Sequence, residues 1–171
     1  AQWYLDALQS IEIPKVGGWG YARGPGKDAP SPPSPFMTAP CLQTLYEARA
    51  AGFVVRTDVV ERGLKALESC AAEQSGYVAY AGRTAGATKD DPGQIPGSVG
   101  RMVATESALF LAGRSSPERL ERAVTAFCDH WDALAARRAK PGTHLPPYGV
   151  APYYFQYAHI HAAQAIALLP A

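Results

Sequence analysis

Apolar residues recur at helical spacing in six stretches of this chain, each bounded by glycine, proline or a capping residue. Trp3, Leu5, Leu8 and Ile11 predict a helix over 2–11, ended by Pro14, Gly17 and Gly18. Met37, Cys41, Leu42, Leu45 and Ala48 predict one over 37–51, with Pro40 in its first turn and Gly52 as its C-cap. Val59, Val60, Gly63, Leu64, Leu67 and Cys70 form the apolar face of 58–73, capped by Asp58. Met102, Val103, Leu109, Phe110 and Leu111 mark 98–113, where Glu106 faces either solvent or a cavity. Leu120, Val124, Phe127, Trp131 and Leu134 mark 117–139, which opens on Ser115-Ser116-Pro117. The last stretch, 153–169, is apolar nearly all round, and such a helix is expected to be buried on every face.

These helices carry an internal echo. Residues 5–22 (LDALQSIEIPKVGGWGYA) align without a gap on 64–81 (LKALESCAAEQSGYVAYA). Leu5, Ala7, Leu8 and Ser10 meet Leu64, Ala66, Leu67 and Ser69, and Gly17 meets Gly76. A weaker third copy runs from 117–139 through Tyr148-Gly149 into 153–169. Self-similarity at a fixed period is the mark of stacked supersecondary units. Charge sits on the odd helices (Arg62, Lys65, Glu68, Glu118, Arg119, Glu121, Arg122, Arg137, Arg138), and small and aromatic residues sit on the even ones. The pattern predicts one all-α domain over 1–171, built of three helical hairpins (about 2–52, 58–113 and 117–169) in two layers. Three Gly/Pro-rich stretches, 23–35, 82–97 and 141–152, are the expected connections.

The chain has 171 residues, is 47% hydrophobic and carries a net charge of +1. That balance suits a globular core, and it gives no electrostatic footprint for nucleic acid or an anionic bilayer. No apolar run approaches ~18 residues, so no membrane span is expected. The chain starts on Ala1 with no charged-then-apolar signal segment; the expectation is a removed leader, or a piece of something longer. The three cysteines, Cys41, Cys70 and Cys128, lie in apolar helical patterns and read as small buried hydrophobes.

A helix, a Gly/aromatic turn and a second small-residue helix, repeated about every 55–60 residues, resemble the prenyltransferase/squalene-oxidase repeat. The residues that carry the resemblance are Gln9 followed by Gly17-Gly18-Trp19-Gly20-Tyr21, then Gln74 followed by Gly76-Tyr77 and Tyr80, and the helix opening Tyr153-Tyr154-Phe155-Gln156-Tyr157-Ala158. It spans essentially the whole chain. It implies the α/α toroid of terpene cyclases and protein prenyltransferase β subunits. Three hairpins would make a partial toroid, since a full ring needs roughly five to seven. The catalytic motifs of those enzymes do not follow. Where squalene-type cyclases carry Asp-x-Asp-Asp, this chain has Thr88-Lys89-Asp90-Asp91. The Asp-x-Cys pair that holds zinc in protein prenyltransferases does not occur. No cofactor and no metal are expected.

Candidate chemistry therefore narrows to aromatics and histidines. Trp19, Tyr77, Tyr148, Tyr153, Tyr154, His159 and His161 are the residues expected on an aromatic-lined inner face. Aromatic faces of this kind stack on rings or face cations. For Trp19, Tyr21 and Tyr80, packing of the turns stands beside that reading. His159 and His161 point roughly 200° apart on a helix and do not share a metal; one of them is expected to face inward, near Tyr148 or His144. Cys128-Asp129-His130 with Asp132 does not read as a zinc site, because adjacent helical residues diverge. Gly24-Pro25-Gly26 has no strand before it and is not a phosphate cradle. Two readings stay open. One is a non-catalytic module that binds a hydrophobic or carbohydrate ligand, a protein partner or a second copy. The other is an α/α-toroid enzyme, either cyclase-like or a polysaccharide lyase using a Tyr/His pair, for which Tyr148, Tyr154 and His159 are available. The two part on geometry: a catalytic His and Tyr must converge in a concave pocket.

Overall fold

The computed structural model describes residues 1–21, 32–82 and 88–170. Gly24-Pro25-Gly26 and most of the loop over 23–35 lie outside the described residues, as do 83–87 of the stretch 82–97. The described residues are all-helical: α1 (Gln2–Ser10), α2 (Pro35–Ala50), α3 (Thr57–Glu68), α4 (Ile95–Leu111, after a single 3-10 turn), α5 (Pro117–Asp129), α6 (Trp131–Ala135) and α7 (Tyr154–Leu168).

Local chemistry sets the ends. Ser116 caps α5, accepting from the Arg119 N–H at 3.4 Å with Pro117 as the first helical residue. Gly52 and Gly113 adopt positive φ just past α2 and α4, and Phe53 and Arg114 then donate back to Ala48 and Leu109. These are Schellman closures, which satisfy otherwise orphaned carbonyls.

Three boundaries differ from the sequence reading. α2 begins at Pro35, so Pro40 lies inside the helix and not in its first turn. A proline there withholds one N–H from the ladder. The Phe36 carbonyl left without that donor faces the Tyr157 hydroxyl at 3.5 Å. α3 stops at Glu68, because residues 70–79 fold back into a turn bridged at Ala71 and Val78. The stretch 117–139 breaks at His130, and the turn of α6 brings Leu134 into the core.

α4 is the centre of the molecule. It packs against α2, α5 and α7, and every residue from Gly97 to Leu109 is buried. Its Ala104, Ala108 and Leu109 close one core with Leu42, Leu45, Val59, Leu64, Leu67 and Trp19. Its Val99, Met102 and Val103 close a second with Leu120, Phe127, Val150, Tyr154 and Ala158. The helix buried all round is thus α4 and not α7, which exposes Ile160 and Ile166. Small residues on α4 permit this: a Cβ on Gly100 would stand 3.1 Å from that of Ala158 on α7. Glu106 is also buried, held by Ser115 and by Arg119 at 2.9 Å, so it ties α4 to the start of α5.

Candidate functional site: an aromatic pocket around Arg101

The echo in sequence is an echo in backbone hydrogen bonding. In the first turn Gly17 N–H donates to Ile13 O and Ile13 N–H to Gly18 O, both at 2.9 Å. In the second Gly76 N–H donates to Ala72 O at 3.0 Å and Ala72 N–H to Tyr77 O at 2.8 Å. Gly17 (φ +84°) and Gly76 (φ +76°) take the left-handed conformation at matching places. A hydroxyl from the next even helix then latches each turn. Thr38 Oγ1 accepts from Trp19 N–H at 3.0 Å and donates to Trp19 O at 3.1 Å. Ser98 Oγ does the same to Val78, at 3.0 and 2.8 Å. The third turn keeps a positive-φ glycine, Gly149, and a bridge between Leu145 and Val150.

The second and third turns meet at the N-terminal end of α4. Gly97 makes the approach possible, since a Cβ there would stand 2.1 Å from Tyr148 O. Between them opens a cavity of about 290 Å³, lined by Tyr77, Tyr80, Gln94, Arg101, His144, Tyr148, Gly149 and Tyr154. Arg101 forms its floor. It is 6% exposed, and its Nε donates to Val78 O at 3.0 Å. Its guanidinium lies over the rings of Phe36 (5.5 Å), Tyr80 (5.9 Å) and Tyr154 (6.0 Å). Burial lowers its pKa from the ordinary value, yet an arginine stays protonated at neutral pH. His144 forms one wall, with Nε2 3.0 Å from the Tyr154 hydroxyl and 3.4 Å from that of Tyr153. Burial raises the Tyr154 phenol well above its usual pKa, against the opposing pull of Arg101. It is therefore a neutral hydroxyl, able to donate or accept.

Of the residues expected on a ligand face, Tyr77, Tyr148 and Tyr154 line this cavity, and Tyr153 flanks it through His144. Trp19 does not join them. It is 2% exposed in the first core, and its indole N–H donates to Leu8 O at 2.9 Å. His159 packs away from the pocket, against Phe127 and Phe155. Its Nε2 accepts from Trp131 Nε1 at 2.9 Å, and its Nδ1 lies 2.6 Å from Phe155 O. His161 is buried against the Tyr157 ring, and its Nδ1 has no partner among the described residues. Neither helical histidine stands beside Tyr148; His144, from the loop, takes that place. Tyr80 and Tyr21 stack on each other at 6.2 Å, and Tyr80 both packs and lines the cavity.

Sequence reasoning passed over Arg101 and Gln94. The available signal for Arg101 was a lone cation in a largely small and apolar helix whose one other charged residue is Glu106. Asp90 holds the second turn by accepting from Ser75 N–H and Oγ. Cys70 is buried, Cys41 half-buried and Cys128 exposed; burial pushes the Cys41 and Cys70 thiols up to about 12, far from a reactive thiolate. Among the described residues no three His, Cys, Asp or Glu side chains gather as a metal site, and no helix is long and apolar enough to cross a membrane. Comparison with protein-family models, with curated proteins and with solved structures finds no match to this chain.

Proposed function

We propose that this chain is a binding module of the terpene cyclase/prenyltransferase-like repeat type. Its three helix pairs would form an open arc of an α/α toroid, with the ligand site at the aromatic pocket on α4. The contact order α2–α4–α7, with α3 against α2 and α5 against α4 and α7, supports the arc. So do the matched turns. One observation carries the binding reading: Tyr77 and Tyr80 from the second turn, Tyr148 from the third and Tyr154 from α7 converge on one small cavity. Aromatic walls with a few convergent polar groups suit a single ring-bearing ligand, a carbohydrate or an aromatic. The cation-stabilising alternative is disfavoured on electrostatic grounds. The faces of Phe36, Tyr80 and Tyr154 already meet the protein's own guanidinium, which would repel a carbocation. Screening sugars and aromatic fragments by ligand-observed NMR, against the wild type and Tyr148→Ala, tests the reading. Hits lost in the variant support it. No hits, or hits indifferent to Tyr148, overturn it.

A second reading, a lyase-type enzyme, is favoured by the 3.0 Å approach of His144 to Tyr154 beside a buried arginine. In it, one of the pair takes the proton next to a carboxylate and the other protonates the departing oxygen, leaving a carbon–carbon double bond. Incubation with acidic polysaccharides, followed by ultraviolet absorbance of that double bond, tests it; an unchanged spectrum rules it out for the polymers tried.

A further inference from the structure

Arg62, Arg114 and Arg119 are all more exposed than Arg101, and each holds a carboxylate. Arg101 is buried and, among the described residues, holds none. Its Nε is bound to Val78 O, and Nη1 and Nη2 donate to no described residue while the side chain lines the cavity. A buried charge without a counter-ion is costly, and three aromatic faces offset only part of that cost. The rest is recovered when an anion enters. Among the described residues the donor set is one planar fork with a single positive charge, and no described lysine or second arginine lines the cavity with it. A planar monoanion matches that fork in shape and charge. A dianion would leave one charge unmatched.

We propose that the pocket recognises the carboxylate of a ring-bearing ligand, with Arg101 Nη1 and Nη2 as the bidentate donors and the ring against Tyr77 and Tyr148. This rests on the reading of the pocket as the binding site. It turns an aromatic cleft into an acid-selective one: neutral rings of the same shape are the ligands it rejects.

Matched acid and neutral pairs test this on the full chain: benzoate with benzyl alcohol, and glucuronate with glucose, titrated by ligand-observed NMR. Each acid should bind roughly tenfold or more tightly than its neutral partner, the value of one charge-assisted hydrogen bond. Arg101→Gln should erase the ratio, and Arg101→Lys, which keeps the charge without the fork, should keep only part of it. Equal binding of acid and neutral probes at a Tyr148-dependent site would overturn the carboxylate inference and leave the pocket reading standing. Binding of none of the four would overturn both. Phenyl phosphate exceeding benzoate by the same margin would mark a dianion site and also overturn the inference. If both Arg101 variants unfold by circular dichroism, the wild-type ratio decides alone.

Discussion

The first and third turns of this chain are built on the same plan and put to different uses. In the first, the aromatic after the glycine points inward: Trp19 is sealed into a core, bonded to Leu8, and latched by Thr38. In the third, the aromatic before the glycine lines a cavity: Tyr148 stands half-buried and shares that lining with Tyr77 and Arg101. The second turn shares both characters, latched by Ser98 like the first and lined by Tyr77 and Tyr80 like the third. A repeated scaffold fixes where an aromatic sits along the chain. The neighbouring helix decides whether that aromatic is covered. α3 crowds the first turn so closely that a Cβ on Gly17 would lie 2.6 Å from Arg62 O, whereas a Cβ on Gly149 would meet no described atom within 4 Å beyond its chain neighbours.

Substitutions at the glycines separate the two uses most sharply. Gly17→Ala combines a left-handed φ with a backbone clash and should cost about 2–3 kcal/mol in urea unfolding, with ligand binding per folded molecule unchanged. Gly97→Ala should cost about as much by overpacking, but it displaces Tyr148 and should abolish binding in the NMR titration. Equal binding in both variants would erase the distinction between a structural turn and a site turn. The latches come next. Thr38→Val and Ser98→Ala each leave a buried N–H without a partner, at about 1–3 kcal/mol, while the Trp19 and Val78 carbonyls keep Ser34 N–H and Arg101 Nε as donors. Similar values are expected from urea melts, and a silent Ser98→Ala would break the equivalence of the first two turns. Gly149→Ala meets only the left-handed penalty, about 1 kcal/mol.

The smallest effect concerns pH. Burial lowers the His161 pKa, so the folded state binds fewer protons than the unfolded one. Its contribution is present above the unfolded value of about 6.5 and is lost as pH falls below it. His161→Leu should therefore flatten the acid limb of a stability–pH profile while leaving acid-over-neutral ligand selectivity intact. A change in that selectivity would place His161 in the site.

Much of the architecture was legible in the sequence. Each helix overlaps a stretch that the 3.6-residue periodicity marks, although 58–73 ends early at Glu68 and 117–139 breaks at His130. The Leu5/Leu64 and Gly17/Gly76 register anticipated a pair of matching turns, down to the hydrogen bonds. Burial was less legible. Composition suggested 153–169 as the enclosed helix, because Ile160 and Ile166 look like core residues; enclosure went instead to 95–111, which carries Arg101, Glu106 and Thr105. The polar residues of α4 find partners only in three dimensions: Arg119 for Glu106, Val78 O and aromatic rings for Arg101. The site followed the same logic. Tyr77, Tyr148 and Tyr154 were visible as aromatics near turns, but Trp19 was equally so.

The sequence alone determined the all-helical class, the helix ends set by Ser116, Gly52 and Gly113, and the echoed turns, because each depends on side chains and φ angles within a few residues of one another. Tertiary structure alone decided which helix is central, which aromatics stay uncovered, and that a loop histidine and a buried arginine meet at one cavity. Those depend on contacts between residues far apart in the chain, where a single glycine such as Gly97 sets how close two elements come.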